Sequence, residues 1–417
     1  MTHIAHRVVC GGFVTCRDSP YIELVNIIDF AWLATDPCIT AGDAVGHLGN
    51  NMDAAWGMPS RRTVLKVGLA GAAVMGVGSS VVLGSATRVA ADVVDAGLFV
   101  ADGERIMIDG LVVPFVGFGG TRGRLELPSG QLEVQTGDTV NLTITNDSSL
   151  PVGFAVPAAP GFAGVTAAPI PVGGTGQVTF TAPARPGTHH YVGTVSGSIA
   201  TGRALGATGP MVVLPRDAAR SSVDALFPGV RDRARRQPLF GVGTAPGLPA
   251  TIVQERTWLF GELNPVTARD LAGGWISLPD DPEPEYFLIN GIGGVLAVED
   301  LLTNITGRAG GLGQPGDTTL VRMINTGRAP RSVHLHGNHF WVLSHPDTPW
   351  IVGASKDTVR IPPAGAVDVL VPLELPPDSY PPVRRAQKYV VHDHIEMAET
   401  ASGGHYPAGM VSEMILT

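Results

Sequence analysis

GDTVNLTITN, residues 137–146, contains a Gly-Asp-Thr turn followed by a segment in which apolar and polar residues alternate. A period of two is typical of a β-strand with one buried face. Segments of the same kind occur at 176–182, 318–325 and 366–373, broken by Gly and Pro, and helical periodicity is not sustained between them. Short strands separated by turn residues at this spacing predict an all-β fold built from β-sandwiches.

The turn-and-strand pattern of residues 137–146 occurs a second time at residues 316–325, where a Gly-Asp-Thr turn again precedes a strand that ends in Asn. Each copy is followed by a loop, a further strand pair and a late segment with histidines or residues in their place. A segment rich in Pro, Gly and Arg separates the copies. We therefore predict two homologous domains, residues 97–216 and 251–417, joined by a linker at 217–250.

The N-terminal part of the chain has the layout of an export signal. SRRTVLK at residues 60–66 resembles a twin-arginine motif, and an uncharged stretch rich in Gly, Ala and Val leads from it to the small residues 89–91. We predict a twin-arginine signal peptide at 52–91 and a periplasmic, cell-envelope or secreted location. A membrane helix that is never cleaved is the alternative. Residues 1–51 are interpreted as a mis-started or disordered N-terminus.

Cysteine positions and charge exclude several functional classes. The three cysteines, Cys10, Cys16 and Cys38, all precede the predicted signal, so the exported part has no disulfide, thiolate metal ligand or thiol nucleophile. The chain carries 28 Lys and Arg against 37 Asp and Glu, a net charge of −9. Because no basic patch or run is present, we expect no nucleic-acid partner.

Two His-x-His pairs are the strongest chemical signal in the sequence: His334 with His336, and His392 with His394. Residues i and i+2 of a strand lie on the same face, so four imidazoles converge if the two strands are neighbours. Neutral imidazole binds copper, zinc, iron and nickel, and copper(II) is bound most tightly among the divalent ions. We predict that these four histidines bind a metal ion, with copper expected and zinc as the alternative.

The two pairs and their flanks resemble the multicopper oxidase family of cupredoxin proteins. HLHG at 334–337, followed by Phe340, is similar to the family segment HxxHxHGHxF, and HDH at 392–394 is similar to HCHxxxHxxxxM. YFLING at 286–291 agrees as well, and PGTHHY at 186–191 resembles a first-domain segment of small two-domain laccases. The resemblance implies two tandem cupredoxin-like Greek-key β-sandwich domains, bound copper, oxidoreductase activity and a homotrimer.

The blue, or type 1, copper ligands of that family are lost. The site needs a Cys, two His and usually a Met, but Asp393 stands at the Cys position and Arg331 at the first His position. His405 and Met410 have the spacing of the remaining pair only after an insertion. A blue copper site is therefore excluded. We predict that Arg331 pairs with Asp393 in the vacated position, with a bond between Asp393 and His405 as the alternative.

The family's three-copper cluster is also incomplete, because it needs four His-x-His pairs. In the first domain, other residues stand at the four positions concerned: Phe154, Val156, Val192 and Thr194. We therefore expect no four-electron reduction of oxygen. His190, from the other domain or another subunit, Glu396 and His405 are candidates for additional ligands or for partners that orient a ligand. Met397 is expected in the core and His345 at the surface.

Three functional interpretations remain open at this stage. The first is a copper oxidoreductase with an all-histidine centre, acting on a small molecule or a metal ion. The second is a non-catalytic exported protein that carries or stores copper or zinc. The third is a structural cupredoxin module in which the histidines form a hydrogen-bonded network. Fold alone does not decide between them.

Overall fold

The computed structural model describes residues 92–126, 128–236, 247–275, 278, 283–311, 314–376, 386–402 and 404–417. The predicted signal peptide and the segment before it lie outside the described residues, so twin-arginine export stays a prediction. Within the described part of the chain, no helix has both the length and the apolar composition needed to cross a bilayer.

Nine strands in the first half of the described chain form two sheets. The order in one sheet is β2-β1-β4-β7, and the order in the other is β3-β9-β8-β5-β6. Their apolar faces enclose one core. The strands are β1 (Val93–Ile106), β2 (Val112–Gly119), β3 (Leu132–Gln135), β4 (Thr139–Asn146), β5 (Val152–Val156), β6 (Val165–Thr166), β7 (Thr175–Thr181), β8 (Gly187–Val195) and β9 (Thr208–Leu214).

The second half repeats this arrangement, with sheets ordered β11-β10-β13-β18-β15-β16 and β12-β20-β19-β14-β17. The strands are β10 (Gln254–Leu263), β11 (Tyr286–Ile289), β12 (Ile305–Gly307), β13 (Thr319–Asn325), β14 (Arg331–Leu335), β15 (Phe340–Ser344), β16 (Ser355–Lys356), β17 (Thr358–Ile361), β18 (Ala366–Val371), β19 (Gln387–Asp393) and β20 (Val411–Leu416). The parallel pairs β1–β4 and β3–β9 recur as β10–β13 and β12–β20. The predicted all-β fold with two tandem domains is confirmed.

The helices found among the described residues are short and lie between strands. They are α1 (Ile199–Ala204), α2 (Val223–Leu226), α3 (Val230–Ala234), α4 (Pro265–Ala272), α5 (Val295–Glu299) and two 3₁₀ helices, Pro349–Ile351 and Glu396–Glu399. The predicted linker contains α2 and α3, which pack into an apolar cluster with residues of both halves, including Val212 and Trp341. Part of this segment is therefore packed against both halves of the chain. The predicted domain limits stay a prediction.

The repeated turn-and-strand pattern has the same structural role in both copies. Asn146 ends β4 and Asn325 ends β13, and both side chains are fully buried. Each side-chain amide donates to two backbone carbonyl oxygens, at distances from 2.8 to 3.2 Å. A buried amide needs such partners, so each Asn fixes the loop that follows its strand.

A buried polar network joins the two halves. Arg322 in β13 and Asp368 in β18 are 2% and 0% exposed, and their Nη1 and Oδ1 atoms are 3.3 Å apart. The Thr188 hydroxyl of β8 donates to Asp368 Oδ1 at 2.5 Å and accepts from Arg322 Nη1 at 2.9 Å. Arg322 Nε donates to Glu255 Oε1 at 2.5 Å, and the hydroxyl of Ser344 donates to Asp368 Oδ2 at 2.6 Å. Networks satisfied in this way make the packing of one domain on the other specific.

Candidate metal centre

Strand alternation separates two sets of polar residues in the second domain. β14 and β19 are antiparallel neighbours, and His334 lies directly opposite His392. These two histidines lie on the outer face of the sheet, whereas Arg331 and Asp393 point into the sandwich, where both are fully buried. The His-x-His pairs and the former blue copper position therefore lie on opposite faces of one sheet.

The four imidazoles come together on the outer face. The ring of His334 is centred 4.7 Å from that of His336 and 4.6 Å from that of His394. The ring of His392 is 5.1 Å from each of the same two rings. His334 and His392 are partly buried, and His336 and His394 are exposed. We call these residues the four-histidine cluster.

The nitrogen positions in the cluster suit a metal ion. One ring nitrogen each from His334, His392 and His394 lies within 4.8 Å of the other two. The Nε2 atoms of His336 and His392 are 3.0 Å apart. Two imidazole nitrogens that bind one ion at about 2.0–2.1 Å are about 2.9–3.4 Å apart when the nitrogen–metal–nitrogen angle lies between a right angle and the tetrahedral angle. The observed separation fits two ligands of the same ion.

Hydrogen bonds to Nδ1 orient two of the rings. His392 Nδ1 lies 2.5 Å from Glu399 Oε1, and His334 Nδ1 lies 2.9 Å from Thr358 Oγ1. His334 Nδ1 is also 3.1 Å from the carbonyl oxygen of Asp357. Acceptors of this kind hold the proton on Nδ1 and leave Nε2 as the metal-binding atom. Burial, with the neighbouring histidines, lowers the pKa of His334 and so favours the neutral, ligating form.

Glu399 is the residue that the sequence analysis missed. β19 ends at Asp393, and the chain then turns into the 3₁₀ helix Glu396–Glu399, which brings Glu399 back beneath His392. Glu399 is 8% exposed. Glu396 was expected on the face of His394 if the strand continued, but the strand ends before it and Glu396 is exposed. The carboxylate that contacts the cluster is therefore Glu399.

The former blue copper position contains an ionic network. Arg331 Nη1 lies 3.4 Å from Asp393 Oδ2, so the predicted contact is present. Arg331 Nη2 also pairs with Glu262, which sequence reasoning did not identify. Asp393 Oδ1 accepts from the backbone N–H groups of Ser332, at 2.9 Å, and Ile395, at 3.1 Å. A buried carboxylate with these partners is satisfied without a metal ion.

His405 and Met410, the other two residues that the resemblance assigns to the blue copper site, differ in burial. Met410 is buried in the core, and its carbonyl oxygen accepts from the N–H of Asp393 at 3.2 Å. His405 is exposed. Among the described residues, the carboxylate of Asp393 bonds to Arg331, Ser332 and Ile395, so the alternative bond to His405 is absent. His405 is thus not positioned to complete a site with Met410 at this place.

The first domain contributes no histidine to the described cluster. Buried side chains other than histidine fill the four expected positions, and Phe154 stacks on Tyr191 at 5.4 Å. All four side chains are buried, namely Phe154, Val156, Val192 and Thr194. His190 is also buried, and its Nε2 lies 3.4 Å from Arg203 Nη2. His190 therefore contacts Arg203 and not the four-histidine cluster.

Two further placements from the sequence are wrong. Met397, expected in the core, is 60% exposed because the 3₁₀ helix turns it outward. His345, expected at the surface, is buried, and its Nε2 bonds to the carbonyl oxygen of Arg360 at 2.8 Å. Its Nδ1 accepts from the N–H of Thr348 at 3.0 Å, so His345 is a structural residue.

Comparison with known families matches both halves of the chain. Two family models described as multicopper oxidase match residues 125–218 and 311–402. These two matches, together with the fold, support a protein of the multicopper oxidase and cupredoxin family. The second matched range contains all four residues of the cluster, and membership of this family implies copper binding. Neither match favours zinc.

Several solved structures of copper proteins share the fold of this chain. The multicopper oxidase mgLAC has a TM-score of 0.55 and 20% identity, with 78% of this chain and 86% of that chain covered. A blue copper oxidase from Nitrosomonas europaea has a TM-score of 0.54 and 19% identity, with 78% and 85% covered. A copper nitrite reductase from the same organism has a TM-score of 0.50 and 17% identity, with 78% and 94% covered. The search of curated proteins gave no match.

Proposed function

We propose that this multicopper oxidase family member binds copper at the four-histidine cluster and functions without a blue copper site. The observation that carries the proposal is the pair of Nδ1 hydrogen bonds, from His392 to Glu399 and from His334 to Thr358. They direct Nε2 of both rings toward a common point in the manner typical of metal-binding histidines. Copper(II) is the divalent ion that such a nitrogen site holds most tightly.

Copper held there would supply one-electron redox chemistry and a Lewis acid. The chain itself contributes neutral imidazoles, their orientation and an open approach, since His336 and His394 are exposed. The buried pair of Arg331 and Asp393 fills the position from which family members deliver electrons. We infer that an oxidoreductase of this design takes electrons from a small-molecule or metal-ion substrate that contacts the cluster directly.

The second candidate is a non-catalytic copper-binding protein that carries or stores the ion. The residues at the four first-domain positions support it, because three are apolar, one is Thr194, and none of them is a histidine. Oxygen consumption separates the two functions. A copper-loaded oxidoreductase given a phenol or a reduced metal ion consumes oxygen and reduces it by two electrons to hydrogen peroxide, whereas a carrier binds copper and consumes nothing.

Metal content tests the proposal. The full chain, with Cys10, Cys16 and Cys38 replaced by Ser so that no thiolate contributes, is loaded with copper(II), desalted and analysed for metal. We expect about one copper per chain or a small multiple, lost in His334→Ala and His392→Ala. His339→Ala is the matched control, because His339 is exposed in the loop next to the cluster. Equal copper in His334→Ala and in the control would contradict the proposal.

Export is a separate proposal and rests on residues 60–66. We propose that the twin-arginine route carries the chain across the cytoplasmic membrane already folded. Replacing Arg61 and Arg62 by Lys is expected to leave the protein in the cytoplasmic fraction, whereas Arg88→Lys, outside the motif, leaves export unchanged. Normal export of the doubly substituted chain would overturn the proposal.

A further inference from the structure

Arg105 in β1 carries a guanidinium without a hydrogen-bond partner. Its Nε is buried and makes no hydrogen bond, and its Cζ lies 4.9 Å above the ring of Phe115. A side chain at Gly206 would collide with its Nη2, so the guanidinium is closely packed. Burial lowers the pKa of Arg105 to about 10, and no carboxylate raises it again. The residue as a whole is partly exposed, but a guanidinium whose Nε is buried and that has no opposite charge would be stabilised by an anion beside it.

A second arginine, Arg203 in α1, also lacks a counter-charge. Its Nε is also buried without a partner, and its Nη2 lies 3.4 Å from Nε2 of His190. Burial and the charge of Arg203 lower the pKa of His190 to about 3, so this imidazole is neutral. In neither protonation state does it carry a negative charge that could balance the guanidinium. Burial lowers the pKa of Arg203 as well. Both arginines therefore lack a counter-charge among the described residues.

Arg105 and Arg203 line one cavity, and the carboxylate beside them is already engaged. The cavity has a volume of about 40 Å³ and lies between β1 and α1 of the first domain and β10 and β11 of the second. Glu262 also lines it. Glu262 pairs with Arg331, however, and accepts backbone N–H groups from residues 328 and 329 at 3.1 and 3.2 Å. The two guanidiniums thus face the cavity without a protein acid that neutralises them.

We propose that this cavity binds a small oxyanion of the carboxylate, bicarbonate or nitrate class between Arg105 and Arg203. The planar guanidinium fork matches a planar oxyanion and binds it through paired hydrogen bonds. Since a water-sized group needs about 10–15 Å³, the cavity has room for about three such groups. That size suits a small anion such as formate, acetate or nitrate better than a branched carboxylate.

Because of where the cavity lies, a bound anion would stabilise the packing of the two domains. Because residues of both domains form its walls, the complete site exists only when the domains are packed together. A ligand that binds the folded state alone stabilises that state in proportion to its concentration over its Kd. The bound anion therefore acts as a connector between the domains, independently of copper at the four-histidine cluster.

The test uses the metal-free full chain and compares formate and acetate with trimethylacetate, which has the same charge but is much bulkier. In calorimetric titrations at constant ionic strength, we expect one binding site for formate and acetate and none for trimethylacetate. Formate is also expected to raise the unfolding temperature. Equal stabilisation by formate and trimethylacetate would mean that any carboxylate salt stabilises the protein without binding in the cavity, and this result would overturn the proposal.

Substitutions locate the site. Arg105→Gln and Arg203→Gln are each expected to weaken formate binding by about tenfold or more. Arg269→Gln is the control, because Arg269 is an exposed arginine of α4 that bonds to the carbonyl of Val112 outside the cavity. In anion-free buffer, Arg105→Gln is expected to unfold at the wild-type temperature or above it, since an unpaired charge is removed. Unchanged formate affinity in both cavity variants would contradict the assignment. If either variant fails to fold, the comparison of formate with trimethylacetate on the unsubstituted protein decides the question.

Discussion

The carboxylate of Glu399 lies 2.5 Å from Nδ1 of His392, although seven residues separate the two along the chain. The contact depends on the end of β19 at Asp393 and on the 3₁₀ helix that follows, which reverses the chain direction. In this way the segment that lost its blue copper ligands still supplies a partner for a histidine on the opposite face of the sheet.

Removal of this partner is expected to weaken copper binding. Glu399→Gln keeps the size of the side chain but removes the charge that holds the Nδ1 proton of His392. We expect copper affinity, measured by competition with a chelator, to fall by about 10- to 100-fold. Glu396→Gln is the control, because Glu396 belongs to the same 3₁₀ helix but is exposed. Equal affinities for the two variants would show that Glu399 does not orient the ring.

The pair of Arg331 and Asp393 is expected to matter for stability. Asp393→Leu leaves the buried guanidinium of Arg331 with Glu262 as its remaining acid, so the free energy of unfolding should fall by about 3 kcal/mol, the lower end of the range for a broken buried pair. Lys388→Met is the control, since the ammonium group of Lys388 is 2.8 Å from Glu413 in a largely exposed pair. This control should cost less than about 1 kcal/mol in urea unfolding. Similar losses for both variants would contradict the account.

The network between the domains is expected to depend on the hydroxyl of Thr188. Thr188→Val removes the bond to Asp368 at 2.5 Å and the bond from Arg322 at 2.9 Å, both to charged groups. The free energy of unfolding should fall by about 2 kcal/mol. Thr179→Val removes the exposed bond to Asn141 and should change stability by less than about 0.5 kcal/mol. A cost for Thr188→Val no larger than that of Thr179→Val would show that the network is dispensable.

The folded protein should become less stable as the pH is lowered below the ordinary pKa of histidine, partly because of His190. Burial and the charge of Arg203 lower the pKa of His190 to about 3, from an unfolded value of 6.5. Between these values the unfolded chain binds a proton that the folded chain does not, so lower pH favours unfolding. One such group contributes about 1.4 kcal/mol per pH unit.

His190→Gln is expected to reduce the slope of stability against pH by about one proton, measured in urea unfolding from about pH 6 to about pH 5 on metal-free protein. Burial lowers the pKa of His345 in the same direction, and His345 is present in both proteins, so the difference isolates His190. An unchanged slope would mean that His190 titrates alike in both states.

The sequence predicted those features that depend on a period of two. Alternation placed His334 and His336 on one face, and the repeated Gly-Asp-Thr turn indicated two homologous domains. The predicted contact between Arg331 and Asp393 followed from two replacements at positions that share one metal in the family. Each of these inferences uses residues whose relation is local or is defined by a known motif.

The features that sequence reasoning missed depend on how distant segments pack. Glu262 reaches Arg331 from a strand 69 residues earlier in the chain. Arg105 and Arg203 meet at one cavity from β1 and α1. Glu399 reaches His392 only because a strand ends and a 3₁₀ helix begins, and no alternation pattern marks that change.

The central claim is that copper binds at the four-histidine cluster and not at a blue copper site. The most direct measurement is the electron paramagnetic resonance spectrum of the copper-loaded chain that lacks cysteine. We expect a normal type 2 copper(II) signal that disappears when His334 and His392 are both replaced by Ala and persists in His339→Ala. A chain that binds no copper, or a type 2 signal unchanged by the double replacement, would contradict the account.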